Sequence, residues 1–166
     1  MPKATSNRSA KDIALSLLGR RDHTAAELGE KLRRRGIPDK EINTVIERLT
    51  DTGIIDNERA AQTIIRGELR KRPIGRMRLM AKLRQRRVPH DLITRCLEEL
   101  DESWEREQCL RAIERWFRIH SRSGHWRESL TRHLRSRGFA WDCIRRTLRF
   151  SDTMEYTDGE SVSDGE

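Results

Sequence analysis

With 166 residues the chain fits one domain or one short array. Leu, Ile, Val and Phe make up 35 residues, about 21% of the chain, close to the level below which high charge goes with disorder. Lys and Arg number 35 against 27 Asp and Glu, a net charge of +8, and no signal-peptide pattern or apolar run of about 18 residues occurs, which argues against secretion and membrane spanning and for a cytoplasmic location.

Helical spacing dominates from the start, and alternating strand patterns are absent. Residues 1–8 read as a disordered polar leader. Ala10, Ile13, Ala14, Leu17 and Leu18 make one apolar face and predict a helix over roughly Ser9–Arg21. Thr24-Ala-Ala-Glu27 has the form of a capping box opening a second helix, which Gly36 can close. Pro38 suits the first turn of a third helix carrying Ile42, Val45, Ile46 and Leu49 to about Thr52.

The plan then repeats. Asp56 caps a helix with Ala60, Ala61, Ile64, Ile65 and Leu69; the loop Arg72-Pro73-Ile74-Gly75 leads to a helix through Leu79 and Leu83; Pro89 begins one with Ile93, Leu97 and Leu100. The third unit runs from about Ser103 with Ala112, Ile113, Trp116 and Phe117, breaks at Gly124, and closes with Trp126–Arg137 and Trp141–Phe150. The acidic, Ser- and Gly-rich residues 151–166 read as a disordered tail.

The repetition is numerical. Leu28-x3-Leu32-Arg33-Arg34-Arg35-Gly36-Ile37-Pro38 returns 51 residues on as Leu79-x3-Leu83-Arg84-Gln85-Arg86-Arg87-Val88-Pro89. After a further 51 residues it returns as Leu130-x3-Leu134-Arg135-Ser136-Arg137-Gly138-Phe139-Ala140, and Ile42, Ile93 and Ile144 keep the register. A fixed period of this size predicts an all-α array of three tandem three-helix repeats, over 9–54, 55–102 and 103–150, each covering its neighbour's apolar face.

Charge follows the same register. Residues 151–166 hold six acids and no Lys or Arg, so residues 1–150 carry +14, a surplus suited to polyanions or acidic protein surfaces. Arg33, Arg84 and Arg135 are equivalent under the repeat, as are Arg35, Arg86 and Arg137; Arg66, Arg70, Arg72, Arg76, Arg78 and Lys82 surround the loop of the second repeat. Guanidinium forks spaced in this way suit phosphates or carboxylates. A solvated helix face paired to Glu30, Glu47 or Glu68 is the simpler alternative.

Other chemistry is weakly signalled. Cys96, Cys109 and Cys143 form neither a disulfide framework nor a zinc pattern, and Cys96 and Cys143 fall at repeat positions held elsewhere by Val45 and Leu92, so they read as core thiols. His23, His90, His120, His125 and His133 lack a metal-site spacing. No P-loop, dinucleotide turn or nucleophile elbow occurs, so no catalytic residue, metal or cofactor is expected. The four tryptophans, all in the third repeat, read as its core and cap; base stacking by Trp126 or Trp141 is the alternative. The tail reads as solvating, or as a competitor that folds back on the arginines.

Arg21-Asp-His-Thr-x-x-Glu27-Leu28-x-x-Lys31-Leu32-x-x-Arg35-Gly36-Ile37 resembles the first repeat of the RecX family of bacterial recombination regulators. So do Gly53-Ile-Ile-Asp56-x-Glu58-Arg59 and Leu79-x3-Leu83-x3-Arg87-Val88, and the likeness covers roughly residues 10–150. It implies an elongated, curved helical protein without chemistry of its own. Such a protein binds RecA filaments in their groove, restrains ATP hydrolysis and strand exchange, and binds DNA weakly. Its groove-facing cations would map onto the arginine clusters above. Ala60 and Pro73-Ile74-Gly75-Arg76 depart from the family's usual aromatic and Gly-Tyr-Gly-Pro turn. A monomeric RecA modulator is expected, with a helical-repeat DNA-binding protein acting independently of RecA as the alternative.

Overall fold

A computed structural model describes residues 9–122 and 124–157, with side chains up to 149. Among them every regular element is a helix: α1 Ala10–Leu18, α2 Ala25–Arg33, α3 Asp39–Asp51, α4 Asn57–Lys71, α5 Arg76–Gln85, α6 His90–Glu98, α7 Glu102–Phe117, α8 Trp126–Ser136 and α9 Trp141–Thr157. They form three successive triplets in the predicted order.

Local chemistry accounts for the helix ends. Ser9 and Asp12 form a full capping box on α1. At α2 only half of the predicted box exists. Thr24 Oγ1 accepts from the Glu27 amide at 3.1 Å, while the Glu27 carboxylate is turned to two arginines. Pro38 stands just outside α3, in extended backbone, rather than within its first turn. Asp56 and Asp101 accept amide protons at the starts of α4 and α7. The middle helix of each triplet ends alike: Ile37, Val88 and Phe139 donate their amides to Leu32, Leu83 and Leu134 over a residue with positive φ. That residue is Gly36 (78°) and Gly138 (85°) in the outer triplets but Arg87 (54°) in the middle one, where a Cβ costs about 1 kcal/mol.

The tail boundary needs correction. α9 passes residue 150 and continues to Thr157, because neither glycine nor proline interrupts the chain before Gly159. Residues 1–8 and 158–166, where the leader and the rest of the tail were expected, lie outside the described residues.

The leucines of the repeated block are the centre of each triplet. Leu28, Leu79 and Leu130 are fully buried, as are Leu32, Leu83 and Leu134, with Ile42, Ile93 and Ile144 beside them. Around them the first triplet packs Ala14, Leu49 and Ile55, and the third packs Cys109, Ala112, Ile113, Trp116 and Phe139. Compactness divides the chain into two units, 1–67 with 81–96, and 68–80 with 97–166. The first unit holds the whole first triplet and the second the whole third, while the middle triplet contributes to each.

Each unit contains one junction between successive repeats, built on the same register. In the first, Thr24 at the start of α2 meets the end of α5: its Oγ1 lies 2.9 Å from the Arg86 carbonyl and 3.2 Å from that of Arg87. In the second, Gly75 occupies the position 51 residues on and donates its amide to the Arg137 carbonyl at 3.0 Å. Here the backbones are too close for a side chain. A Cβ on Gly75 would stand 2.2 Å from the Gly138 carbonyl oxygen.

Gly75→Ala is therefore expected to destabilise the protein by about 3 kcal/mol or more, since only backbone movement relieves the overlap. Gly67 lies within α4 with nothing within 4 Å of an added Cβ, so Gly67→Ala should stabilise by about 0.5–1 kcal/mol. Urea unfolding of the two variants checks both signs.

Candidate polyanion-binding surfaces

The expected arginines separate by what their guanidinium groups already hold. In the first unit, Arg86 is half-buried and donates Nε to Glu27 Oε2 at 3.0 Å and Nη2 to the Asp22 carbonyl at 3.1 Å. Arg21 closes on the other side of the same carboxylate, 2.6 Å from Glu27 Oε1. Glu27, its side chain 12% exposed, is thus a negative charge between two guanidinium groups at a repeat junction. Asp22 joins the cluster through Arg59 Nε at 3.2 Å and Thr63 Oγ1 at 3.0 Å.

In the second unit the register recurs. Arg137 directs Nε and Nη2 at the Pro73 carbonyl, as Arg86 directs its Nη2 at that of Asp22, and both donor and acceptor are displaced by 51 residues. Arg78 donates to the Ser136 carbonyl at 2.6 Å while staying exposed. Arg76 donates Nη2 to the Leu97 carbonyl at 2.9 Å, its amide meets Glu105 Oε1 at 3.2 Å, and its buried Nε has no partner. Arg76, Arg86 and Arg137 therefore serve as internal ties.

Arg35 is the first copy of the Arg86 and Arg137 position. It is exposed and bonds only the Lys31 carbonyl of its own helix, at 3.1 Å. Arg33 is exposed but bound to Asp39 and Glu30, at 3.0 and 3.1 Å. The Asp39 hydrogen bond raises its pKa, and Arg34 and Arg87 with it lower that of Glu30. Arg66, Arg70, Arg72, Arg84 and Arg135 are exposed, and among the described residues none has an ion pair; Lys82 is half-buried. These, with Arg35 and Arg78, are the cations presented to solvent: Arg35, Arg66, Lys82 and Arg84 on the first unit, Arg70, Arg72, Arg78 and Arg135 on the second.

The remaining candidates resolve individually. Cys96 is buried, as its register required, and Cys109 is buried too, but Cys143, placed in the core on the same ground as Cys96, is half-buried. The Cys109 thiol, hydrogen-bonded with the Cys143 thiol and buried, is held far above the usual thiol range. Trp116 is in the core and His120 stacks on it at 4.2 Å and 6°. Trp126 is covered by Phe117 at 5.3 Å and by Arg122 and Arg127 at 5.7 and 5.0 Å from its ring centre, which leaves little face for a base. Trp141 is 55% exposed, contrary to the core reading. Among the described residues no cluster of His, Cys, Asp and Glu could hold a metal ion, and no helix is long and apolar enough to cross a membrane.

The sequence reading passed over Asp22 and Glu27 as functional acids. Their partners come from the next repeat, so nothing within one period signals the pairing. Its one available sign is arithmetic, the coincidence that Arg86 and Arg137 stand at the same distance from residues 22 and 73. Removing one partner of a largely desolvated pair leaves the other unsatisfied. Arg86→Gln is thus expected to cost about 1–3 kcal/mol, against within about 0.5 kcal/mol for Arg84→Gln at an exposed site, as measured by thermal unfolding.

Comparison with known proteins places these features in a family. The model of the first three-helix domain of RecX matches residues 10–49. Regulatory protein RecX of Prosthecochloris aestuarii is 36% identical over 142 residues, covering 85% of this chain and 92% of its own. That of Chlorobaculum tepidum is 32% identical over 142 residues, covering 85% and 87%. Among solved structures, RecX from Lactobacillus salivarius superposes with a TM-score of 0.76 at 19% identity, over 87% of this chain and 95% of that one, a likeness of fold.

Proposed function

The chain belongs to the RecX family of regulatory proteins, and on that premise we propose that it regulates RecA by docking along the RecA–DNA filament and lowering its activity. The observation that carries this reading is the coincidence of family membership with a set of exposed arginines, Arg66, Arg70, Arg84 and Arg135 among them, that no carboxylate of the described residues neutralises. Cations left unpaired in a folded chain are the groups available to an acidic protein surface or to phosphate.

The mechanism needs no bond-making. A ligand that spans neighbouring protomers of a filament shifts its balance of active and inactive arrangements, provided it binds one of them better. Guanidinium groups on helices suit such a role because their donor forks are held by a rigid scaffold. The ties formed by Arg76, Arg86 and Arg137 act on the scaffold itself, so that their loss would reach the partner only through the fold.

A titration of the protein into RecA on single-stranded DNA is the test, with DNA-dependent ATP hydrolysis and strand exchange as readouts. Both are expected to fall and saturate. The variant Arg66→Glu/Arg70→Glu, with two exposed charges reversed on α4 and an unchanged melting curve, should need at least about tenfold more protein for the same effect. Unaltered ATPase and strand exchange at saturating protein would defeat the proposal. Tight, steeply salt-dependent binding to bare DNA together with indifference to RecA would favour the independent DNA-binding alternative.

A further inference from the structure

The second unit contains a small cavity, apolar at Ala112 and Ile119 and rimmed by basic side chains, that the arginine clusters alone did not predict. Its volume is about 70 Å³, and Arg72, Arg115, Trp116, His120, His133 and Arg137 contribute to its lining. The side chains arrive from three directions. Arg72 follows the end of α4, Arg115 and Trp116 stand on the last turn of α7 with His120 just beyond it, and His133 and Arg137 share one face at the end of α8. Three guanidinium groups and two imidazoles converge there, and no acid lines the cavity.

Two of the groups are held in place by contacts within the unit. Arg137 is fixed by the Pro73 carbonyl through Nε and Nη2, which leaves Nη1 uncommitted. His120 lies flat on Trp116, and its Nδ1 is 2.9 Å from the Trp116 carbonyl. A carbonyl only accepts, so Nδ1 carries a proton and Nε2 remains to take up another. Arg72 and Arg115 are exposed, and among the described residues neither is ion-paired. Glu68, the carboxylate whose charge reaches Arg137, is itself bound to Lys71 at 2.7 Å.

We propose that this cavity is a binding site for a phosphate group, a tetrahedral oxyanion enclosed by Arg72, Arg115, Arg137, His120 and His133. Size and donor geometry favour that class. A volume of about 70 Å³ has room for several water-sized groups, the scale of one phosphate group. Donors converging from separate elements can serve several oxygens at once, whereas a planar carboxylate is served by a single guanidinium fork. Cations collected without a counter-charge repel one another, and a dianion removes that cost.

Proton linkage gives the site a signature. Burial, then the charges of Arg137, His120 and Arg72, hold the His133 pKa below its ordinary value, so without a ligand the ring is neutral at neutral pH. A bound anion a few ångströms away opposes those influences and raises the pKa. At a pH where the phosphate keeps one charge state, binding should therefore take up a proton at His133 and raise its pKa.

The test is a titration of inorganic phosphate into the full chain at constant ionic strength, following the imidazole signals of His133 and His120 by NMR at several pH values. The expected result is saturable binding with the His133 pKa raised by about one unit or more. Arg72→Gln/Arg115→Gln, at exposed positions that leave the Arg137 tie intact, should weaken it at least about tenfold with no change in melting temperature. Oligothymidylates with and without a 5′-phosphate identify the source: a response to the first alone means a terminal phosphomonoester, a response to both means backbone phosphodiester. The proposal is overturned if about 20 mM phosphate moves His133 no further than chloride does, if the double variant binds as tightly as the wild type, or if an acidic peptide matches phosphate. RecA plays no part in these readouts, so they stand or fall separately from the filament reading.

Discussion

The tie between one repeat's middle helix and the next is the constraint on which the rest of the molecule depends. A three-helix unit of about fifty residues buries only a small core, as the clusters of the first and third triplets show. The junctions add to those cores, and each junction is polar at its edge. The start of α2 meets the end of α5 through Thr24 and the Arg86 carbonyl, and the Arg86 guanidinium reaches back to the Asp22 carbonyl. Gly75 and Arg137 repeat both contacts with Pro73. Reciprocal bonds of this kind fix the position of one helix end against another more sharply than apolar contact does, because their geometry is directional.

The two junctions reach the same register by different means. Glu27 adds a carboxylate between Arg21 and Arg86 at the first, whereas Arg78 stands at the equivalent position in the second and donates to a carbonyl instead. The first is held apart by a threonine side chain and the second brings two glycines into near contact. Arg87, in the left-handed backbone that glycine takes in its two counterparts, shows the same divergence. Here the side chain is retained at some conformational cost, and it lies 3.8 Å from Glu30.

Much of this was legible in advance. The helices, their triplet order and the buried Leu28, Leu79 and Leu130 follow from apolar spacing, since burial of one face is what that spacing encodes. Cys96 was placed in the core by register alone. The allocation of the arginines was not legible. Arg84 and Arg86 stand two residues apart in one cluster, yet one faces solvent and the other closes a junction. A helix turns through about 200° in two residues, and the sequence carries no mark of which side the next repeat will cover. Trp141 shows the same limit, an aromatic whose exposure depends on what α9 is packed against. The grouping of the histidines was not legible for another reason. Searching them for metal spacing tests proximity along the chain, whereas His120 and His133 meet Arg72 only through the fold.

This allocation changes how the charge of such a repeat protein should be read. A surplus of +14 over residues 1–150 suggests a uniformly basic surface, but several of its arginines are hydrogen-bonded to backbone carbonyls, where they replace the water those carbonyls would lose at a junction. Carbonyl oxygen satisfies a guanidinium without neutralising it, so the charge persists while the donors are consumed. Long-range attraction of an acidic partner can therefore draw on the whole surplus, since it depends on charge, whereas the contacts that hold the partner need free donors and fall to the exposed subset. Arg35 belongs to that subset although it is equivalent by register to Arg86 and Arg137: it is exposed, and its guanidinium reaches only back to the Lys31 carbonyl at 3.1 Å among the described residues.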